Sequence, residues 1–285
     1  MIQADPRVQI VVVVDPEGPG GAERFAAPFA DSSVLGHTLK RLSRCRRISG
    51  ICLVHPPGFA LPEIPKELET DGSPELRVLD ALVPERGSAR RRAARKWAPT
   101  CWRGGLGGAT CFDEVLFPAA ALAALDSSQG SAALLVGGDW PLVDPKLCDA
   151  LVERHLRDPQ HLPLVFSQAA PGWCGCLVSR DLLTDLGEKQ AMIGTLLDYQ
   201  PQVPQGDPIA KDPCVQVEAS ARRAEVRAIY DAPRWQALLR QVEAARDSAS
   251  LLNVGAAELG ATWPQEMASS RLPQQVTLEL SPRRL

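Results

Sequence analysis

The sequence has no long apolar run and no excess of charge of either sign. None of its apolar stretches approaches the roughly 18 residues that a membrane-spanning helix needs. Its 31 basic residues nearly balance its 34 acidic residues, for a formal net charge of -3, so the overall charge gives no reason to expect nucleic acid or an anionic membrane as a partner. The first residues lack the basic stretch of a secretory signal peptide, and no internal repeat of roughly 20 to 50 residues is visible.

Cysteine is present, but its spacing is not that of a metal-binding motif. The eight cysteines are scattered, and only Cys174 and Cys176 lie close together, with no histidine nearby. A metal site at this pair is one interpretation, and small buried residues are the better one. We therefore expect a cytoplasmic protein with reduced thiols.

An alternation of apolar strands and amphipathic helices begins near the N-terminus. The run VQIVVVV at 8–14 is rich in β-branched residues, which is typical of a strand covered on both faces in a parallel sheet. A loop rich in glycine and proline follows, then apolar residues at helical spacing over 34–45, then the short apolar run GICLVH at 50–55. This order predicts a right-handed βαβ unit.

The same alternation continues through the rest of the chain. Asp144 followed by Pro145 has the pattern of a helix start, and Ser179 is a candidate cap of the next helix. The remaining patterns predict strands at 76–82, 131–137, 162–166, 214–217 and 226–229, and helices at 112–125, 190–200 and 232–247. Together these elements predict an α/β fold with a doubly wound, mostly parallel sheet of Rossmann-like type.

Two loops at the ends of predicted strands carry candidate chemistry. Ligands of open α/β sheets bind beyond the carboxyl ends of the strands. The first loop runs from Asp15 to Arg24; its glycines would let the backbone approach a phosphate, and Arg24 would pair with that phosphate. The loop residues that we predict to bind a nucleotide are Asp15, Gly18, Gly20, Gly21 and Arg24.

The second loop contains Asp139, directly after the apolar run LLVGG. A carboxylate fixed at a strand end is a natural ligand for Mg²⁺, which prefers oxygen donors and bridges to substrate phosphates. Gly-Gly-Asp also ends many strands as an ordinary turn. From the residues alone, both interpretations of Asp139 stay open.

The order of these segments resembles the nucleotidyltransferases of the glycosyltransferase-A type, especially the cytidylyltransferases and the molybdenum-cofactor guanylyltransferase-like proteins. The likeness spans residues 7–245 and rests on the glycine-rich loop with its arginine and on VLGHTLKRL, GGDWPLVDP and YDAPRWQAL. It implies a Mg²⁺-dependent transfer of a nucleotidyl group from a nucleoside triphosphate to a sugar or phosphorylated acceptor. In that pattern Asp139 and Asp231 would hold the metal, and Arg24 and Asp139 would be catalytic.

The sequence departs from this family pattern at two positions. The stretch RFAAPFAD after the glycines has no lysine where the family has a phosphate-contacting one, and Arg234 stands where a second acidic residue is common. Because nucleotidyl transfer depends on electrostatic stabilisation of the phosphates, the alternative is a catalytically inactive binding or docking module attached to another enzyme domain. A glycosyltransferase that uses a nucleotide sugar would share the fold, but it typically carries a D-x-D motif, which GGDW is not.

A strongly basic segment lies at 86–105, with seven basic residues and no acidic one. It could bind phosphates or RNA, or it could be the solvated face of a helix, which we favour. Asp113 and Glu114 follow at the start of the next predicted helix, where acidic residues suit the helix dipole. A catalytic role for these two carboxylates is the alternative.

The helical and strand periodicity weakens from about residue 246 onward. We therefore predict a nucleotidyltransferase-like domain over 1–245 and a linker or the start of a following domain over 246–285. The WRGG and FDE segments and the last residues, LPQQVTLELSPRRL, resemble nucleotidyltransferase-like domains that precede radical-SAM/SPASM modules. That resemblance implies a covalently following enzyme domain, although this chain has no C-x-x-x-C-x-x-C triad.

Overall fold

The structure, a computed structural model, describes residues 7–69, 73–83, 87–104, 108–198, 208–223 and 227–269. Its strands are β1 (Val8–Val13), β2 (Pro28–Phe29), β3 (Ser32–Ser33), β4 (Gly50–Val54), β5 (Leu76–Leu79), β6 (Arg103–Gly104), β7 (Ala109–Thr110), β8 (Ala132–Gly137), β9 (Leu164–Ser167), β10 (Cys176–Ser179) and β11 (Cys214–Val215).

The helices differ widely in length, and four short 3₁₀ turns accompany them in the described part of the chain. The α-helices are α1 (Val34–Leu42), α2 (Ser88–Trp97), α3 (Pro118–Ser128), α4 (Pro145–Arg157), α5 (Arg180–Glu188), α6 (Ile193–Leu196), α7 (Ala219–Arg223), α8 (Pro233–Ala244), α9 (Ser248–Asn253) and α10 (Ala256–Ser269). The 3₁₀ turns are Ala22–Phe25, Lys66–Glu69, Cys111–Glu114 and Pro208–Ala210.

Within the described residues, seven strands form the central sheet in the order β11-β9-β10-β8-β1-β4-β5. β1 pairs in parallel with β4 and β8, and β10 runs antiparallel to β8 and β9. From β1 the chain builds outward through β4 and β5 and then returns to add β8 on the other side of β1. The predicted doubly wound, mostly parallel α/β sheet is confirmed, and the strand order reverses between β1 and β8.

The two strands at this reversal are enclosed along their whole length. Every residue of β1 and of β8 is buried, and α3 packs against both strands and against β4. A β-branched, apolar strand is stable there because both of its faces are removed from water. The sequence pattern at 8–14 predicts this environment correctly.

The helix starts predicted from sequence are also found. The Asp144 side chain accepts the N–H of Lys146 at 2.8 Å at the start of α4, where Pro145 is the first helical residue. The Ser179 hydroxyl accepts the N–H of Leu182 at 3.3 Å at the start of α5. Both side chains satisfy backbone donors that have no partner within the helix.

Three predicted elements differ in the structure. The helix predicted over 112–125 is split, because a 3₁₀ turn at Cys111–Glu114 precedes α3, which begins only at Pro118. Of the helix predicted over 190–200, only α6 forms among the described residues. Residues 227–229 of the strand predicted at 226–229 are not a strand. Their backbone is bonded to another loop instead, since the N–H of Ala228 donates to the carbonyl oxygen of Pro171 at 2.8 Å.

The segment that follows α8 packs on the body that carries the sheet. Arg41, a buried residue of α1, donates to the carbonyl oxygens of Val143 and Val254, at 2.7 Å each, and of Leu251. The domain boundary near residue 246 stays a prediction. This packing would place such a boundary further along the chain. The segment resembling a radical-SAM/SPASM leader, 272–285, lies outside the described residues.

Among the described helices, none combines the length and the apolar character that crossing a membrane requires.

Candidate functional site

The carboxyl ends of β1 and β8 lie side by side, which brings two of the predicted site residues together. Val13 is in register with Gly137 across the parallel pair, so Asp15 and Asp139 both follow at the same rim of the sheet. This rim is the point where the strand order reverses. In open α/β sheets such a point is the usual place for a ligand.

Arg24 binds the carboxylate of Asp139 directly. The 3₁₀ turn Ala22–Phe25 presents its guanidinium, whose Nε donates to Oδ2 of Asp139 at 2.7 Å. The same guanidinium donates to the carbonyl oxygen of Asp15 at 2.6 Å and to that of Gly21. The Arg24 side chain is only 2% exposed, and each of its three nitrogens donates to a group of this chain.

The glycines of the first loop are used for close packing of the chain on itself. Gly20 has a φ of 84°, and a Cβ at this position would overlap the carbonyl oxygen of Asp231. A Cβ on Gly18 would lie 2.8 Å from Nη2 of Arg24. Gly21 has a φ of 62° and open space around it. The nucleotide-binding role of these glycines stays a prediction.

Arg227 links the carboxylates of Glu114 and Asp231. Its Nη1 donates to Glu114 Oε1 at 2.8 Å, and its Nη2 lies 2.5 Å from Glu114 Oε2. Its Nε and Nη2 donate to Asp231 Oδ2 at 2.8 and 2.6 Å. Burial alone lowers the pKa of Arg227, but the carboxylates of Glu114 and Asp231 outweigh that effect and raise its pKa above the ordinary value. Arg227 is therefore a permanent cation in this site.

Helix α2 supplies two more cations. Arg95 lies 3.3 Å from both the Asp15 carboxylate and the Glu114 carboxylate, and Arg91 Nε lies 3.6 Å from Asp15 Oδ2. The preferred interpretation of the basic segment as a solvated face is wrong for these two side chains. It holds for the exposed Arg90 and Arg92.

These charged groups form one set, which we call the ion-pair cluster. It pairs four carboxylates with four guanidinium groups, so the formal charges cancel. The space left between them is about 10 Å³, which is close to the volume that one water needs. The cluster consists of Asp15, Arg24, Arg91, Arg95, Glu114, Asp139, Arg227 and Asp231.

The carboxylates of the cluster have the oxygen chemistry that Mg²⁺ prefers, but their partners leave no binding arrangement for the ion. Both oxygens of Asp231 are in use, Oδ1 by the N–H of Ala232 at 2.7 Å and Oδ2 by Arg227. Asp139 Oδ2 is held by Arg24. Within the described ranges there is no group of three or more His, Cys, Asp or Glu residues that could hold a metal ion. As arranged, these residues do not fit Mg²⁺.

Part of this site is visible in the sequence. Asp15, Arg24, Asp139 and Asp231 come together as predicted, although as partners of arginines. Arg227 was not among the predicted residues. The spacing of Arg91 and Arg95 does place them on one face of α2, whereas Arg227 and Asp231, also four residues apart, lie outside any helix.

Comparison with solved structures bears on the fold. A cytidylyltransferase from Leptospira borgpetersenii is similar over 95% of this chain and 99% of that chain, with 15% identity and a TM-score of 0.57. A CMP:2-keto-3-deoxy-manno-octonic acid synthetase in complex with CTP (85% and 98% covered, 11% identity, TM-score 0.44) and a nucleotidyl transferase from Methanothermobacter (84% and 98% covered, 13% identity, TM-score 0.45) are also similar.

Comparison by sequence finds no relative. No protein-family model matches the chain, and no curated protein is significantly similar to it. The likeness to the Leptospira cytidylyltransferase extends over nearly the whole of both chains. The protein therefore has the fold of the nucleotidyltransferases.

Proposed function

We propose that this chain is a nucleotidyltransferase-like domain without the metal-dependent reaction, which acts as a binding or docking module attached to another enzyme domain. The observation that carries the proposal is the pairing of both candidate metal ligands with arginines, Asp139 with Arg24 and Asp231 with Arg227. Two neighbouring carboxylates need positive charge between them. Here guanidinium groups provide that charge.

The space and the charge of the ion-pair cluster support the same conclusion. Small-molecule sites usually enclose roughly 300–1,000 Å³, against about 10 Å³ here. A cluster whose formal charges cancel gives a triphosphate little net attraction, and the loop has no lysine to add any. Breaking buried ion pairs to admit a nucleotide would also leave charges without partners, at a cost of about 3–5 kcal/mol for each pair.

A second candidate is Mg²⁺-dependent transfer of a nucleotidyl group from a nucleoside triphosphate to a sugar or phosphorylated acceptor. One observation favours it: Oδ1 of Asp139, unlike Oδ2, has no hydrogen bond from the described residues, and Asp139 borders the remaining space of the cluster. In this candidate Arg24 would have to leave Asp139 and pair with the triphosphate. Arg227 would likewise have to release Asp231.

A thermal-unfolding screen distinguishes the two candidates. The four nucleoside triphosphates and common nucleotide sugars are each added with and without Mg²⁺. A ligand that is present at 100 times its dissociation constant stabilises the fold by about 2.7 kcal/mol, which raises the melting temperature by several degrees. The docking module predicts no shift with any of them. A shift that needs both nucleotide and Mg²⁺, and that Asp139→Asn abolishes, would establish the transferase candidate instead.

A further inference from the structure

A cavity of about 780 Å³ lies beside α3, separate from the small space inside the ion-pair cluster. We call it the α3 cavity. It is bounded by the loop after β5, by the first turns of α2 and α3 and by the residues around the end of α5. Its volume falls within the range of roughly 300–1,000 Å³ that is usual for small-molecule sites, so it has the room that the cluster lacks.

Most of the wall of the α3 cavity is apolar. Leu116, Phe117, Ala120 and Leu186 line it with buried side chains. Val83, which is 44% exposed, also lines the cavity. Such a wall favours a ligand with an apolar body.

One wall of the α3 cavity is positively charged. Arg90 and Arg91 line it, and Arg91 is held in place because its guanidinium lies 3.9 Å from the centre of the Phe117 ring, with Nε 3.6 Å from Asp15 Oδ2. The first turns of α2 and α3, which also border the space, contain no acidic residue. Their free N–H groups therefore add to the positive potential.

The acidic residue on the wall, Asp113, is engaged by donors of this chain. Its carboxylate accepts the N–H of Thr110 at 2.9 Å and the N–H of Ile193 at 2.6 Å, and it also accepts the hydroxyl of Thr110 at 2.7 Å. These donors already surround both of its oxygens. Because both of its oxygens have partners, the Asp113 carboxyl has little capacity left for a ligand.

We propose that the α3 cavity binds a small molecule that has an apolar, ring-sized body and one anionic group. The apolar body would pack against Phe117 and Leu116, and the anionic group would bind Arg90 and Arg91. This site is independent of nucleotide binding. It would give the domain a ligand even though the rim of the sheet is occupied by the ion-pair cluster.

Two fluorescent probes of the same shape test the proposal. The naphthalene sulfonate 1-anilinonaphthalene-8-sulfonate carries one negative charge, and N-phenyl-1-naphthylamine has the same rings without it. We expect saturable binding of one sulfonate probe per chain, and binding of the neutral probe at least about tenfold weaker, because the neutral probe cannot form a charge-assisted hydrogen bond with the arginines. Cooperative thermal unfolding of the sample excludes dye binding to a partly unfolded chain.

Three variants connect the fluorescence to the α3 cavity. Ala119→Trp, at an exposed lining position of α3, should abolish binding of both probes by filling the space. Arg90→Gln should weaken the sulfonate probe about tenfold and leave the neutral probe unchanged. Arg92→Gln, on the same helix but outside the lining, is the matched control and should change neither.

Three results would overturn the inference: no saturable binding of the sulfonate probe, binding that Ala119→Trp leaves intact, or equal affinity for the two probes. The second would place the dye elsewhere on the protein. The third would remove the anionic part of the proposed ligand.

Discussion

The buried arginines of this protein differ in what they bind, and this difference sets the expected cost of removing a partner. Arg24 and Arg227 bind carboxylates, so each carboxylate that is removed leaves a buried positive charge. Arg41 binds backbone carbonyl oxygens, which do not titrate. Loss of a charged partner is therefore expected to destabilise the protein at Arg24 and Arg227. At Arg41 the stability depends on the positions of the carbonyl oxygens.

Asp139→Asn tests the role of Asp139 as an ion-pair partner. The Asp139–Arg24 pair is buried, with side chains 10% and 2% exposed, so an amide at this position leaves the guanidinium of Arg24 without its counter-charge. We expect a loss of about 3–5 kcal/mol in the free energy of unfolding, measured by urea denaturation. If Asp139 only ended a turn, the same substitution would lower the free energy of unfolding much less, because asparagine caps nearly as well as aspartate.

Asp126→Asn is the matched control for that measurement. Asp126 pairs with Arg180 at the surface, with side chains 69% and 35% exposed, and exposed pairs contribute about 0–1 kcal/mol. Equal, small losses in both variants would contradict the ion-pair role of Asp139.

His37 is expected to destabilise the fold. It is completely buried on α1, and neither ring nitrogen has a hydrogen-bond partner in the described residues. Its ring meets Phe29 edge to face, with centroids 5.1 Å apart. We expect His37→Phe to raise the free energy of unfolding by about 1–3 kcal/mol at neutral pH, because it removes a buried donor without a partner.

The same residue predicts a pH dependence. Burial, with a further contribution from Arg41, lowers the pKa of His37 from 6.5 to about 3. The unfolded state therefore takes up the proton first as the pH falls, and stability is lost between about pH 6.5 and pH 3, by at most about 1.4 kcal/mol per pH unit. Urea denaturation at pH 7.5 and pH 5 should show a wider gap between wild type and His37→Phe at pH 5. An unchanged gap would be inconsistent with a buried neutral imidazole, and His161→Gln, at an exposed histidine, serves as the control.

At the scale of elements, α1 fixes the segment that contains α9 and the start of α10. Arg41 donates to the carbonyls of Leu251 and Val254, and the Asp144 carboxylate accepts the N–H of Ala256 at 2.7 Å. Three backbone groups distant in sequence thus depend on two side chains. Burial lowers the pKa of Arg41 to about 10, which still leaves it charged at neutral pH.

Arg41→Gln is expected to loosen this segment before the rest of the molecule. A glutamine amide is too short and has too few donors to reach three carbonyls, and a buried acceptor left without a partner costs about 1–3 kcal/mol. Hydrogen exchange over residues 247–259 should accelerate while β1 and β8 stay protected. Arg44→Gln, a nearby variant at an exposed position that bonds the same segment, should change exchange much less. If Arg41→Gln instead accelerated hydrogen exchange equally along the whole chain, the substitution would be destabilising the entire fold and not this segment alone.

How well each element could be predicted follows from where its partners lie. β1 and β8 are predicted well because burial on both faces requires a continuous apolar run. The caps Asp144 and Ser179 are predicted well because a cap bonds to backbone groups within its own turn of helix. The ion-pair cluster could be predicted only in part. Arg227 and Glu114 are 113 residues apart, and no local pattern indicates such a pairing.

At the scale of the whole molecule, the extent of the domain can be tested by proteolysis. The buried apolar side chains of Leu251, Val254 and Leu259 belong to one cluster with Trp173 and Tyr230. We expect limited proteolysis to leave a folded core that retains α9 and extends at least to Leu259, because these buried side chains hold the backbone of the segment on the rest of the protein. Early cleavage near residue 246, with a stable core that ends there, would support the domain boundary predicted from sequence and contradict a core that retains α9. Mass spectrometry of the resistant core decides between them.

The position of β1 has a consequence for how the chain reaches its fold. Among the described strands β1 comes first along the chain, and one of its two neighbours, β8, follows only after residues 14–131 have been made. Until then an apolar strand with an unpaired edge is available to other nascent chains, and pairing over such a separation is slow because the loop must close first. Expression at low temperature, or with chaperones that shield apolar strands, should therefore raise the yield of soluble protein more than any change to the finished surface.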